Sequence, residues 1–251
     1  MEWLTISISL SVFVHFSLAM VIYLGGKTYS SKVFAMLTFI VGLWVIWRGI
    51  FHSIPPGNEI WATIANDLSF ITGIAIASLW AYFCLVFPEE QKPPRWASAS
   101  LIFANIVLIP VYFYKDLFLG YGEWIGGIGK WSWTQGPYLP CYDIVFIGLW
   151  LVGFIALLVK ARRYTGEKRK SIILMFWAVF IGIIPVEITS LVLPRIYNYF
   201  ELDWTSPLIM IMWSTFMGYT IIKYNQMNTK TVITEFLVLA AVGLLFLSIF
   251  I

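Results

Sequence analysis

Eight stretches of the chain are almost wholly apolar, and each is close to the roughly 20 residues that a helix needs to cross a bilayer core. They run from Trp3 to Leu24, Val33 to Phe51, Ile60 to Phe87, Trp96 to Tyr114, Tyr142 to Val159, Ser171 to Leu193, Ser206 to Ile222 and Val232 to Ile251. Short polar segments separate them. Ile54-Pro-Pro-Gly-Asn58 reads as a tight turn, because Pro-Pro-Gly cannot continue a helix. Pro88-Glu-Glu-Gln-Lys-Pro-Pro-Arg95 is a second connection, and residues 115–140 form the longest loop, rich in Gly and carrying Trp124, Trp131 and Trp133. The strand-by-strand alternation of a membrane β-barrel is absent. The pattern therefore predicts an all-α, polytopic membrane bundle of seven transmembrane helices plus an eighth C-terminal span.

Composition narrows this further. Hydrophobic residues make up 60% of the chain and charged ones only 12%, against about a quarter in soluble domains. Little sequence is left over for a soluble catalytic domain. No nucleic-acid partner is expected, and the bilayer is the first partner.

Charge sets the orientation. Lys160-Ala-Arg-Arg-Tyr-Thr-Gly-Glu-Lys-Arg-Lys170 holds six of the sixteen basic residues between two apolar runs. Such Lys/Arg clusters stay on the cytoplasmic side. With the N-terminus outside, twelve basic residues fall inside and four, Arg48, Lys115, Lys130 and Arg195, outside. The first span resembles a signal peptide in length only. Glu2 precedes it, and Lys27 and Lys32 follow it, which is the charge order of an uncleaved anchor. Cys84 and Cys141 then fall at opposite faces, too far apart for a disulfide.

Ionisable side chains inside spans are costly, about 2.5 to 3.5 kcal/mol each on insertion scales, so each needs a reason. Arg48, Asp67 and Glu187 are expected at similar depth in the outer leaflet. One reading is an outward-opening ligand pocket lined by Arg48, Asp67 and Glu187, with Trp44 and Trp213 nearby. The other is an Arg48–carboxylate pair that only locks helices together. Pro185 lies two residues before Glu187 and is expected to kink span six, with Thr189 and Ser190 available to satisfy freed backbone. Asn105 is expected to make an interhelical hydrogen bond. The aromatic loop from Tyr121 to Tyr138 is expected either to lie at the interface as a re-entrant loop or to form a lid over the pocket. His15 and His52 lie at different depths, so no metal site is expected, and no cofactor. A retinal Schiff base would need a central Lys, which no span has.

Spans six and seven carry a resemblance. Arg169-Lys-Ser-Ile-Ile-Leu-Met-Phe-Trp-Ala-Val-Phe-Ile-Gly-Ile-Ile-Pro185 begins basic and ends in a Gly-x-x-Pro half. Asp203-Trp-Thr-Ser-Pro-Leu208 and Met217-Gly-Tyr-Thr-Ile-Ile-Lys-Tyr-Asn225 frame the last span of the seven. With Leu43-Trp44 and Tyr82-Phe-Cys-Leu-Val-Phe-Pro88, this resembles the N-terminal seven-helix sensor region of bacterial histidine kinases, over roughly residues 1–227. The resemblance implies a non-catalytic receptor module in the plasma or inner membrane. It would bind an extracellular or membrane-borne ligand and drive a cytoplasmic kinase or cyclase domain in cis, with homodimerisation left open. Residues 228–251 are then an eighth transmembrane segment beginning the connection to that output domain, and the chain is expected to be a fragment. A second class of function, a small transporter or channel using Asp67 and Glu187 as a cation or proton relay, stands beside it. That reading calls for inverted repeats with broken helices, and the two halves show none. An integral-membrane enzyme ranks last, for want of paired His or Asp motifs near the inner face.

The charge map makes a direct prediction. A reporter fused at Thr165 should read as cytoplasmic and one at Gly126 as external, and the reverse pattern would invert every depth assignment above.

Overall fold

A computed structural model of the chain describes residues 2–112, 119–124, 131–197 and 199–224. Helices α1 (Glu2–Gly25), α2 (Tyr29–Ser53), α3 (Glu59–Val86) and α4 (Arg95–Tyr112) come first. A short antiparallel hairpin, β1 (Leu119–Trp124) and β2 (Trp131–Gln135), follows them. The second half holds α5 (Leu139–Arg163), α6 (Gly166–Glu187), a π turn at Ile188–Val192, α7 (Leu193–Tyr197), a 3-10 turn at Asp203–Thr205 and α8 (Ser206–Tyr224). The eighth apolar run, Val232 to Ile251, and the end of the fourth at Tyr114 lie outside the described residues.

Local chemistry explains the boundaries. Thr28 caps α2 by accepting the Ser31 N–H through its side chain. Pro55 and Pro56 follow α2, and Gly57 takes a φ of +89° that a side chain would disfavour. Pro140 stands in the first turn of α5, where its missing N–H costs nothing. At the other end of α5, Lys160, Arg162 and Arg163 face the negative end of the helix dipole.

Six described helices are long and apolar enough to cross a membrane, with Gly166–Tyr197 counted as one continuous segment through its π turn. These match the first, second, third, fifth, sixth and seventh expected spans. Helix α4 takes the place of the fourth, packing on α3. The six close into a ring: α1 packs on α2, α2 on α3, α3 on α5, α5 on α6, α6 on α8, and α8 back on α1. The outer faces are apolar and exposed, as at Ile144, Ile155 and Val159 of α5, because in lipid an apolar surface needs no burial.

Close approaches hold the ring together. Gly182 of α6 receives Trp213 of α8, and a Cβ on Gly182 would sit 2.3 Å from the Trp213 Cβ. Gly153 of α5 likewise lies against the Trp80 indole of α3, where a Cβ would fall 2.3 Å from Nε1. Small residues at such contacts let backbones approach where lipid supplies no hydrophobic drive. Asn105 of α4 donates to Ser78 of α3 at 2.7 Å, the interhelical bond expected of it.

The basic stretch differs from the loop expected of it. Helix α5 runs to Arg163 and α6 starts at Gly166, so only two residues connect them. Lys160 is buried, and its Nζ donates to the carbonyls of Cys84 at 3.0 Å, Leu85 at 2.7 Å and Phe87 at 2.8 Å. It therefore caps the C-terminus of α3, whose last carbonyls lack helical partners. The adjoining turn completes this end. Glu90 accepts from the Ser30 N–H at 2.8 Å and from the Ser30 hydroxyl. Glu89 accepts the Tyr164 hydroxyl at 2.9 Å, which holds the Tyr164 phenol above its usual range.

The longest loop also differs. Its described part is the hairpin, with Trp124 paired to Trp131. Trp131 is fully buried and donates its indole N–H to the Ile54 carbonyl at 2.9 Å, pinning the hairpin where α2 ends.

The Gly182–Trp213 contact can be tested. Gly182→Val should destabilise the solubilised protein by about 1 to 3 kcal/mol through overpacking. Trp213→Ala in the same background should recover part of the loss in a thermal unfolding series.

Candidate functional site

The end of the ring opposite the basic residues is organised around Arg48, two turns from the end of α2. Its side chain is almost completely buried, and it forms an ion pair with Asp203, also buried, from the 3-10 turn ahead of α8. Arg48 Nη1 donates to Asn66 Oδ1 of α3 at 3.3 Å. His52, one turn further along α2, places Nε2 3.5 Å from both Arg48 Nη2 and Asp203 Oδ2. The guanidinium thus ties α2, α3 and the start of α8 into one junction, stacked at 5.2 Å on Phe51.

Beside this junction a cavity of about 80 Å³ opens in the middle of the ring. Helix α2 contributes Trp44 and Arg48 to its wall, and α3 contributes Ser69, Phe70 and Gly73. Helix α5 presents Tyr142, Phe146 and Trp150 at i, i+4 and i+8, one helix face by the 3.6-residue repeat. Glu187 ends α6, Ser190 and Leu191 follow on the π turn, and Met210 comes from α8. The rings form a continuous surface: Phe70 meets Tyr142 edge-on at 5.4 Å, Tyr142 stacks on Phe146 at 5.5 Å, and Phe146 meets Trp150 at 6.3 Å.

Glu187 reaches this wall through backbone irregularity. Pro185 has no N–H for the Ile181 carbonyl one turn back. The helix continues after it, and the next turn widens to π spacing, with the Leu193 N–H bonding the Ile188 carbonyl. Thr189 Oγ1 donates toward the Pro185 carbonyl at 3.0 Å and the Val186 carbonyl at 3.1 Å. It therefore serves carbonyls at the end of α6 that lead into the π turn rather than that of Ile181. Ser206, the first residue of α8, lies 3.0 Å from Thr189 Oγ1 and bonds the Ser190 hydroxyl. A π turn at a cavity wall is a frequent mark of a functional position.

Two ion pairs flank the cavity. Arg48–Asp203 is one, and Arg195 of α7 with Asp143 of α5 is the other. Glu187 makes no hydrogen bond or ion pair with any described residue, although Asp143 and Arg195 both act on it through space. Trp150, itself 6% exposed, buries its indole N–H with no acceptor among the described residues.

Of the five residues singled out from sequence, the fold brings Trp44, Arg48 and Glu187 to one cavity. Asp67 is half-buried on α3 and is not on that wall, where its neighbour Asn66 meets Arg48. Trp213 is fully buried against Gly182 and Phe34, not against Glu187. The acid that meets Arg48 is Asp203. It opens the Asp203-Trp-Thr-Ser-Pro-Leu208 stretch that carries the family resemblance, but it is not among the candidate site residues. Trp124 and Trp131, the hairpin side chains that are described, are not among the residues lining the cavity. His15 hydrogen-bonds within α1, where its Nδ1 lies 2.6 Å from the Ser11 carbonyl. No group of three or more potential metal ligands occurs among the described residues.

A closed ring of lipid-facing helices with a small aromatic cavity at one end and most of its described basic residues at the other is a multi-pass membrane protein. Residues 7–230 match the family described as the N-terminal 7TM region of histidine kinase, and the chain belongs to that family. No curated protein matches it.

The junction predicts strong coupling. Arg48→Ala or Asp203→Ala alone should cost about 3 to 5 kcal/mol, because each leaves a buried charge unpaired. Arg48→Met with Asp203→Leu should cost much less than the sum, and additive losses in a double-mutant cycle would show the two side chains to be independent.

Proposed function

We propose that this chain is the signal-sensing membrane module of a histidine kinase-like receptor, non-catalytic by itself, with its N-terminus outside. The basic ends of α2, α4, α5, α6 and α8 then face the cytoplasm, where an output domain in cis would receive the signal. The observation that supports this reading best is the central cavity. It is lined from α2, α3, α5, α6 and α8 at once, so a ligand that fills it bears on all five helices. Met210 on its wall and Ser206 beneath the π turn belong to α8, the last described helix before the output side. In this reading the ligand selects between two packings of α8 against α6, the element both ends of the receptor share. Residues 228–251 would continue that path as the eighth span.

Substitution at the cavity tests this. In the full-length receptor, Glu187→Gln and Phe146→Leu should each shift the stimulus response at least several-fold, with membrane expression near that of the parent. Asp67→Asn, off the cavity wall, should leave the response unchanged. Parallel loss of folded protein and of response in the cavity variants would reduce the cavity to a structural feature.

A further inference from the structure

We infer that the cavity takes a small organic ammonium ion, an inference that rests on the cavity being the sensing site and names the class of its ligand. Arg48 pairs with Asp203, and Arg195 with Asp143, which leaves the Glu187 carboxyl as the acid on this wall with no hydrogen bond or ion pair to a described residue, Asp143 and Arg195 acting on it only through space. An unpaired acid on a partly desolvated wall calls for a cation or a strong donor.

The rest of the wall is suited to a cation of low hydration. Trp44, Phe70, Tyr142, Phe146 and Trp150 present five aromatic side chains to one space. Aromatic faces carry negative charge density and attract alkylammonium groups, which pay less to leave water than a bare metal ion does. The donors for a metal are missing, since carboxylates and imidazoles do not gather on this wall. Arg48 does not oppose the cation, because its guanidinium is directed into Asp203 and Asn66.

Size sets the limit. The cavity is about 80 Å³, whereas a void of about 150 Å³ is what admits benzene. A ligand of a few heavy atoms fits: a primary or methylated amine, or the ammonium head of a slightly larger molecule. Glu187 takes the N–H or the charge, and the rings of α5 take the methyl groups.

Titration of the intact chain in lipid nanodiscs with methylammonium, dimethylammonium and tetramethylammonium tests this. Binding is read by calorimetry and by the thermal midpoint, with tert-butanol and acetate as neutral and anionic comparisons. At least one ammonium ion should bind tenfold or more tightly than tert-butanol or acetate. Glu187→Gln should weaken it at least tenfold, Phe146→Leu several-fold, and Asp67→Asn not at all. Binding of tert-butanol or acetate that equals the ammonium ions and still depends on Phe146 would overturn the cation class and keep the cavity as the site. Binding of no probe, together with a normal stimulus response in Glu187→Gln and Phe146→Leu receptors, would remove the site as well.

Discussion

The buried ion pair between Arg48 and Asp203 is the constraint around which the end of this bundle opposite the basic connection is built. Removing two charges from water costs several kcal/mol each, and only close mutual geometry with additional hydrogen bonds recovers it. Asn66 and His52 supply those contacts. The consequence is positional. Asp203 can meet Arg48 only if the turn before α8 is drawn inward between α2 and the π turn, and that fixes where α8 begins. Ser206, three residues later, then meets Thr189 and Ser190, so one electrostatic contact aligns three helices and the irregular end of a fourth segment.

The two ends of the ring are secured by different physics. At the basic end, Lys160 caps α3 through three carbonyls while Glu89 and Glu90 fasten α5 and α2. These are hydrogen bonds to backbone and helix termini, short in reach and insensitive to side-chain repacking. At the other end, two ion pairs lie beside a cavity whose wall includes a π turn and an acid with no hydrogen bond or ion pair among the described residues. A π turn has already departed from ideal α-helical geometry, so a small change in what touches Glu187 is transmitted to a backbone with alternatives available. Under the proposed sensor reading, that asymmetry has a direction, from the cavity toward the basic end.

Much of the architecture was legible in sequence, because in lipid every backbone polar group must be satisfied within its own helix. That requirement makes a span a local property of about 20 residues, so the lengths and order of the six membrane-long helices could be read one at a time. The same rule made Asn105 and Arg48 conspicuous as polar exceptions. The exceptions that misled were those whose partner is distant in sequence. Lys160 looked like part of a solvated loop because nothing near it announces the α3 terminus, 73 to 76 residues away, that its ammonium caps.

By itself, then, the sequence determined the helices, their approximate ends, the membrane setting and the family. Each of these rests on periodicity, apolar length or motif order, which are local. Tertiary structure decided which acid meets Arg48, that Glu187 remains without a described partner, and that Trp44 and Glu187 share a cavity while Asp67 and Trp213 do not. Depth along a span can be counted from sequence, but rotation about the helix axis cannot when every face is apolar. Asp67 and Asn66 differ by one residue and about 100° of that rotation. The ring closure, set by glycine contacts such as Gly182 with Trp213, supplied the missing angle.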